Sequence, residues 1–183
     1  MHILILGGTT EAGRLAGLLA ARSDMRATLS LAGRTRHPVL PPIAHRIGGF
    51  GGPEGLAAWI QEHHVTALVD ATHPFARIMP FNAAEAARET GIPLLALTRP
   101  AWTPEEGDHW TEVAGHAEAA AAIGTRRKRV FLTVGRLETG AYAAVPQHFY
   151  VVRSIDPVGE PKPLPNAIWL TARGPFTVED EHA

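Results

Sequence analysis

The chain has 183 residues, of which 45% are hydrophobic and 19% are charged, and its formal net charge is −1. This composition is typical of a globular protein with a core, and the small net charge gives no overall field that would attract nucleic acid or a membrane surface. Cysteine is absent, which excludes disulfides and cysteine zinc sites, and no stretch approaches the ~20 apolar residues of a membrane helix, so we expect a cytoplasmic protein.

Short apolar runs alternate with helical patterns through the first hundred residues. Strands are predicted at 2–6, 27–31, 44–47, 67–71 and 92–97. Helices are predicted at 11–22, from Pro53 onward, and over 75–90 with Gly91 at the C-terminal cap. Alternation of strands and helices predicts a parallel sheet that is covered by helices on both faces.

The composition changes to proline, tryptophan and acidic residues around 99–107, which predicts a boundary between domains 1–98 and 99–183. In the second domain we predict a helix at 114–123, strands at 129–134, 149–154 and 167–171, and a helix that Thr177 caps. Both domains are therefore predicted to be α/β, with parallel sheets. Because the last predicted helix has barely begun at residue 183, we expect the second domain to be incomplete in this chain.

A glycine turn with the sequence GGTTEAG follows the first predicted strand and opens the first helix. Nucleotide-binding α/β folds hold a pyrophosphate at this point, against backbone N–H groups of the helix N-terminus. The match to G-x-G-x-x-G is imperfect, but the hydroxyls of Thr9 and Thr10 could donate to a phosphate instead. We assign Gly8, Thr9, Thr10 and Glu11 to a cofactor site, and expect Glu11 to cap the helix or point away. A purely structural turn is the alternative.

The end of the second predicted strand bears on which dinucleotide would bind. NAD-binding folds usually carry an acidic residue there, about 20 residues beyond the glycines, that binds the ribose 2′-hydroxyl. Here the chain has Gly33, Arg34, Thr35 and Arg36, without an acid. Guanidinium groups attract a 2′-phosphate, so this segment favours NADPH over NADH. A solvated basic loop remains the alternative.

Two further loops are predicted at the same edge of the sheet. The run GGFGG contains Gly49, Phe50 and Gly51, and such glycine density suits a backbone that passes close to a ligand or adopts positive φ. A structural bulge is an equally good explanation. The run DATHPFA closes the fourth strand and contributes Thr72 and His73 to the predicted cofactor site.

The motifs GGTTEAGRLA, GGFGGPEGLAAWI, DATHPFA and LTRPAW, followed by LTVGR and TARGPF, resemble those of the precorrin-6A reductase family in order and spacing. The resemblance covers essentially the whole chain, although family members continue through a further helix, strand and glycine-rich loop. It implies two Rossmann-like domains with the substrate in the cleft between them. It also implies NADPH-dependent reduction of a ring-contracted, polycarboxylated tetrapyrrole in cobalamin biosynthesis, with no metal or flavin.

Three arginines follow apolar strands: Arg99, Arg136 and Arg173. We expect them at sheet edges facing one cleft, where guanidinium groups would bind substrate carboxylates, although any one of them could form a structural ion pair. Phe75 is assigned to the same substrate site. Reduction also requires a proton, and His73 is the nearest candidate for its donor or for an orienting group. It could equally cap the helix that follows.

Other reductase and hydrolase signatures are missing. A short-chain dehydrogenase needs a lysine four residues after its tyrosine, but Tyr142 is followed there by Pro146 and Tyr150 by Ser154. The chain also lacks a P-loop, H-E-x-x-H and G-x-S-x-G. A non-catalytic NADP(H)-sensing module is the alternative to the enzyme, and it predicts dinucleotide binding without an arginine-lined substrate cleft.

Overall fold

The computed structural model of the chain describes residues 1–33, 38 and 40–182. It consists of two compact units, Met1–Trp102 and Thr103–Ala183. Each unit contains one parallel sheet with helices, which confirms the predicted α/β class. Within the described part of the chain, no helix is both long enough and apolar enough to cross a membrane.

The first unit is built on a five-stranded parallel sheet. Its strands are β1 (His2–Leu6), β2 (Arg26–Leu31), β3 (Ala44–Ile47), β4 (Ala67–Asp70) and β5 (Leu94–Ala96), and its helices are α1 (Thr10–Ala20), α2 (Pro53–Glu62) and α3 (Met79–Thr90). The strand order is β3-β2-β1-β4-β5, so the chain starts in the middle, builds one side and then crosses to the other. The direction of winding therefore reverses between β1 and β4, which is where sheets of this type bind ligands.

Both faces of this sheet are covered. Leu4 and Leu68 pack with residues of α2 and α3, and Ile5 and Val69 pack with residues of α1 on the other face. Every residue of β1 is buried, which explains why the strand has a continuous apolar run instead of an alternating pattern.

The second unit has a three-stranded parallel sheet in the order β6-β7-β8. Its elements are α4 (His116–Ile123), β6 (Arg129–Leu132), a 3-10 helix (Thr139–Ala144), β7 (Phe149–Ser154), β8 (Ala167–Thr171) and α5 (Val178–His182). Its core contains Leu132, Tyr142, Tyr150 and Val152. Thr177 caps α5 as predicted, because its hydroxyl accepts the N–H of Asp180.

The helix predicted over 75–90 begins later, at Met79. The preceding residues form a turn, in which the N–H of Ala76 donates to the carbonyl oxygen of His73. Pro80 explains the late start. A proline lacks the N–H that the interior of a helix requires, but it fits the first turn, where α3 places it.

Candidate functional site

The predicted cofactor residues follow several strands of the first sheet. Since all of these strands are parallel, the loops after β1, β3, β4 and β5 leave from the same edge. The glycine turn and Glu11 follow β1, the GGFGG loop follows β3, the DATHPFA loop follows β4, and Arg99 follows β5. This carboxyl edge is the candidate site.

The two glycines of the turn have different physical roles. A Cβ on Gly7 would lie 2.6 Å from Cδ1 of Leu29, so any other residue there would have to displace the Leu29 side chain of β2. Gly8 has a φ of +126°, and apart from its two chain neighbours no heavy atom of the described residues lies within 4 Å of the position that its Cβ would take. The turn is therefore tightly packed on its inner side and open at Gly8, as close approach by a ligand requires.

Thr9 connects two loops of the site. Its hydroxyl accepts the N–H of Ala12 at 3.2 Å as the cap of α1, and it donates to the carbonyl oxygen of Ala71 at 2.8 Å. A hydroxyl has one proton to donate, so it is not available to a phosphate in this arrangement. Donation from the Thr9 hydroxyl to a phosphate would require the bond to Ala71 to break, and it stays a prediction. Thr9 holds the loops after β1 and β4 together.

Glu11 and Arg99 form an ion pair. Nη2 of Arg99 donates to Oε2 of Glu11 at 2.9 Å, and the exposed fractions of the two side chains are 38% for Arg99 and 34% for Glu11. The pKa of Glu11 lies below its usual value, chiefly because its own backbone N–H binds the carboxylate, and further because of Arg99; burial opposes the shift. The structural ion pair that the sequence left open for Arg99 is thus present. A substrate contact by Arg99 stays a prediction.

The loop after β4 is fixed by hydrogen bonds of its own side chains. Oδ1 of buried Asp70 accepts the backbone N–H of Thr72 at 3.0 Å and its hydroxyl at 2.7 Å. An aspartate that binds the backbone two residues further on stabilises a tight turn. Thr72 is therefore held at the start of the loop.

His73 follows in the same loop, and its Nδ1 accepts the N–H of Phe75 at 3.2 Å. In the neutral ring the proton then lies on Nε2. Burial lowers the pKa of His73, the positive charge of Arg99 lowers it further, and the carboxylate of Glu11 partly offsets both. His73 is therefore uncharged at neutral pH and has an N–H to donate from Nε2.

The GGFGG loop is held by Arg46, a residue that the sequence reasoning missed. Nη1 of Arg46 donates to the hydroxyl of Ser30 and to the carbonyl oxygen of Gly48, and Nη2 donates to the carbonyl oxygen of Gly49, each at 2.9 Å. The guanidinium carbon lies 3.8 Å from the ring centroid of Phe50. An arginine two residues before a glycine-rich run was the available signal.

Phe50 and Gly55 join this loop to α2. The ring of Phe50 meets Trp59 edge-on, with centroids 5.9 Å apart. A Cβ on Gly55 would lie 1.8 Å from the carbonyl oxygen of Phe50, so the helix and the loop could not approach each other with any other residue there. Phe50 thus packs partly into the core, and a contact between its ring and a cofactor stays a prediction.

The other predicted residues lie outside these four loops or outside the described part of the chain. Gly33 follows β2 with a φ of +77°, while Arg34, Thr35 and Arg36 lie outside the described residues. Arg136 follows β6 in the second unit, and its Nε is buried without a hydrogen-bond partner in the described part of the chain. Arg173 follows β8 in the same unit. The described residues contain no group of three or more metal-binding side chains that could hold an ion.

The strand order and the glycine turn of the first unit are those of a Rossmann-like α/β protein. The sequence model of the family described as "Precorrin-6x reductase CbiJ/CobK" matches residues 2–183, and the chain belongs to this family.

Individual relatives agree with this assignment. The chain is 51% identical to a precorrin-6A reductase of Sinorhizobium sp over 182 residues, which cover 100% of this chain and 70% of the relative. It is 49% identical to a precorrin-6A reductase of Rhodococcus erythropolis, covering 100% of this chain and 73% of that protein. A solved structure titled "CobK precorrin-6A reductase" superposes with a TM-score of 0.93 at 46% identity, covering 99% of this chain and 72% of the other.

Proposed function

We propose that this protein is a cytoplasmic, NADPH-dependent reductase of precorrin-6A in cobalamin biosynthesis. Family membership over residues 2–183 and the names of relatives at about half identity support the reaction and the substrate. The observation that best supports the cofactor is the glycine turn at the β1/β4 switch point, which leaves open space at Gly8 beside the N-terminus of α1.

We propose that the first unit holds the cofactor. The backbone of residues 8–11 would face the pyrophosphate, because N–H groups at a helix N-terminus suit anions. Gly33, Arg34 and Thr35 would face the 2′-phosphate, since the sequence places no acid there that would repel it. The loops that contain Gly49, Phe50, Gly51, Thr72 and His73 complete the proposed site.

For the substrate we propose the exposed ring of Phe75 and Arg99 in the first unit, and we propose Arg136 and Arg173 in the second unit. Phe75 is 80% exposed, and a phenyl ring of this kind suits the apolar face of a macrocycle. The unpartnered Nε of Arg136 supports a carboxylate ligand, because a buried donor without a partner is unfavourable. Arginine forks also match carboxylates geometrically.

The reaction consumes NADPH, a proton and the macrocycle, and it yields NADP⁺ and the dihydro product. When bound, the reduced nicotinamide supplies the hydride for one carbon of a ring double bond, and a proton reaches the other atom. The chain's own residues align the two reactants. Among them we assign His73 an orienting role. Its uncharged imidazole carries one ring proton, on Nε2, and a hydrogen bond donated from Nε2 would hold a bound reactant in place without transferring that proton.

The test is to titrate the protein with NADPH, with NADH and with precorrin-6A, and to follow the absorbance of the reduced nicotinamide. We expect NADPH to bind more tightly than NADH, and its absorbance to fall when the tetrapyrrole is added. Binding without oxidation would favour the sensing module over the enzyme, and absence of NADPH binding would overturn the proposal. Arg136→Gln should raise KM for the tetrapyrrole, whereas Arg126→Gln, at an exposed position before β6, should leave it unchanged.

A further inference from the structure

The ion pair between Glu11 and Arg99 lies at the place where the proposed cofactor would put its phosphates. The two residues are 88 positions apart in the chain, yet Nη2 of Arg99 and Oε2 of Glu11 are 2.9 Å apart. Glu11 is in the first turn of α1, immediately after the glycine turn, and Arg99 belongs to the loop after β5. The pair therefore reaches from one side of the β1/β4 switch point to the other.

The N-terminal donors of α1 are largely used within the chain. The N–H of Ala12 binds the hydroxyl of Thr9, and the N–H of Gly13 binds the carbonyl oxygen of Thr9. Glu11 itself lies in the first turn of α1, where the positive end of the helix dipole stabilises its carboxylate. The carboxylate of Glu11 thus belongs to the first turn of α1 and binds the guanidinium of Arg99.

A phosphate binds well to the same two partners as the Glu11 carboxylate, namely the N-terminus of α1 and the guanidinium of Arg99. Free N–H groups and the positive end of the helix dipole attract an anion at a helix N-terminus, and a guanidinium adds charge-assisted hydrogen bonds. The open space at Gly8 lies in the turn directly before these donors. A carboxylate and a phosphate cannot both use the same donors, so they compete for them.

We infer that Glu11 determines specificity at the cofactor site, because its carboxylate occupies the place between α1 and Arg99 that the dinucleotide's pyrophosphate must take. This inference rests on the proposed function. Inorganic phosphate or pyrophosphate has to displace Glu11, and it makes few other contacts whose binding energy could offset the loss of the Glu11 ion pair. A dinucleotide also binds through its two nucleosides and can displace it. Glu11 therefore discriminates against small free anions.

The test compares wild type with Glu11→Gln, which keeps the size of the side chain and removes its charge. Calorimetric titrations with inorganic pyrophosphate and with NADPH should both show tighter binding to Glu11→Gln. For pyrophosphate we expect an increase of about tenfold, which corresponds to about 1.4 kcal/mol. Arg99→Gln should weaken the binding of both probes, because the guanidinium serves the phosphate once Glu11 has moved.

Glu85→Gln is the matched control. Glu85 pairs with Arg88 on α3 of the same unit, so its removal breaks a glutamate–arginine pair that is not part of the site. It should leave both affinities unchanged, and urea unfolding should show that all variants are folded.

Weaker or unchanged pyrophosphate binding by Glu11→Gln would overturn the inference, while NADPH binding by the wild type would still support the proposed function. If neither wild type nor Glu11→Gln binds NADPH, the proposed function fails, and this inference fails with it.

Discussion

The hydroxyl of Thr9 donates a hydrogen bond of 2.8 Å to the carbonyl oxygen of Ala71, and so joins the loop after β1 to the loop after β4. These loops border the point at which the direction of winding reverses. The same oxygen caps α1 by accepting the N–H of Ala12. One side chain therefore fixes both the start of the helix and the separation of the two loops.

Thr9→Val should lower the free energy of unfolding by about 1–2 kcal/mol, because it removes a helix cap and leaves a carbonyl oxygen without its donor. NADPH binding should weaken as well, since the two loops are no longer tied together. Thr9→Ser keeps the hydroxyl and should restore most of both properties. Urea unfolding and NADPH titration of the three proteins check this, and equal stability of Thr9→Val and wild type would contradict it.

Gly55→Ala should destabilise the first unit by several kcal/mol. The added Cβ would lie 1.8 Å from the carbonyl oxygen of Phe50, so α2 and the GGFGG loop would have to separate. Gly17→Ala is the matched control, because Gly17 is inside α1 and, apart from its chain neighbours and the helix's own backbone, no heavy atom in the described part of the chain lies within 4 Å of its Cβ position. That change should raise stability by up to about 1 kcal/mol through helix propensity. Urea unfolding measures both, and a stable Gly55→Ala would show that the contact is not restrictive.

Much of the architecture could be predicted because local patterns determine it. The bounds predicted for four strands, 2–6, 44–47, 149–154 and 167–171, agree with those of β1, β3, β7 and β8. Buried strands between turn residues leave a clear apolar signal. The predicted start of α3 at residue 75 was wrong. Pro80 fits only the first turn of a helix, so it marks a start close to Met79 and not five residues before the proline.

The contacts within the site were much less predictable. Thr9 and Ala71 are 62 positions apart, Arg46 and Ser30 are 16 apart, and Glu11 and Arg99 are 88 apart. No local periodicity encodes such pairs. The sequence could indicate which residue types gather at the carboxyl edge of the sheet, but not which hydroxyl protons and guanidinium groups are already used within the chain.

His2 predicts a pH dependence of stability. It is buried in β1, with Nδ1 2.9 Å from the carbonyl oxygen of His63 and Nε2 2.8 Å from the hydroxyl of Thr28. Burial lowers its pKa below 6.5, although the bond to His63 opposes this. The unfolded chain therefore takes up a proton at a higher pH than the folded chain does. The free energy of unfolding should fall as the pH decreases below 6.5 and through the folded pKa.

The measurement is urea unfolding of wild type and His2→Gln between neutral and mildly acidic pH. Histidines that do not contact His2 contribute equally to both proteins, so the difference between the two curves reports His2 together with its neighbour His63. We expect a shallower pH dependence for the variant. Parallel curves would mean that His2 is protonated equally in the folded and unfolded chains.

His73→Ala should lower kcat while leaving the Kd for NADPH nearly unchanged, because the orienting N–H on Nε2 is lost but the glycine turn is intact. His73→Gln presents an amide N–H at a similar distance from the backbone and should recover part of the activity. Steady-state turnover and NADPH titration separate the two effects. Unchanged turnover in His73→Ala would exclude His73 from the reaction.

Arg46→Lys should lower the free energy of unfolding by about 1–3 kcal/mol, although it preserves the charge. A lysine has one nitrogen in place of the fork that binds Ser30, Gly48 and Gly49, and hydrogen bonds from charged donors are among the stronger ones. It also loses the stacking of the planar guanidinium on Phe50. The amides of residues 48–52 should then exchange with solvent faster, and NADPH affinity should fall because the loop no longer keeps its shape.

Arg22→Lys provides the comparison for this change. Arg22 also forms a two-pronged contact, with both carboxylate oxygens of Asp24, but the pair is exposed and lies in the turn after α1. Solvent weakens such surface pairs, so this variant should match wild type in unfolding, in amide exchange and in NADPH binding. If Arg46→Lys behaved in the same way, the GGFGG loop would owe its conformation to its glycines alone, and Arg46 would have no part in shaping the site.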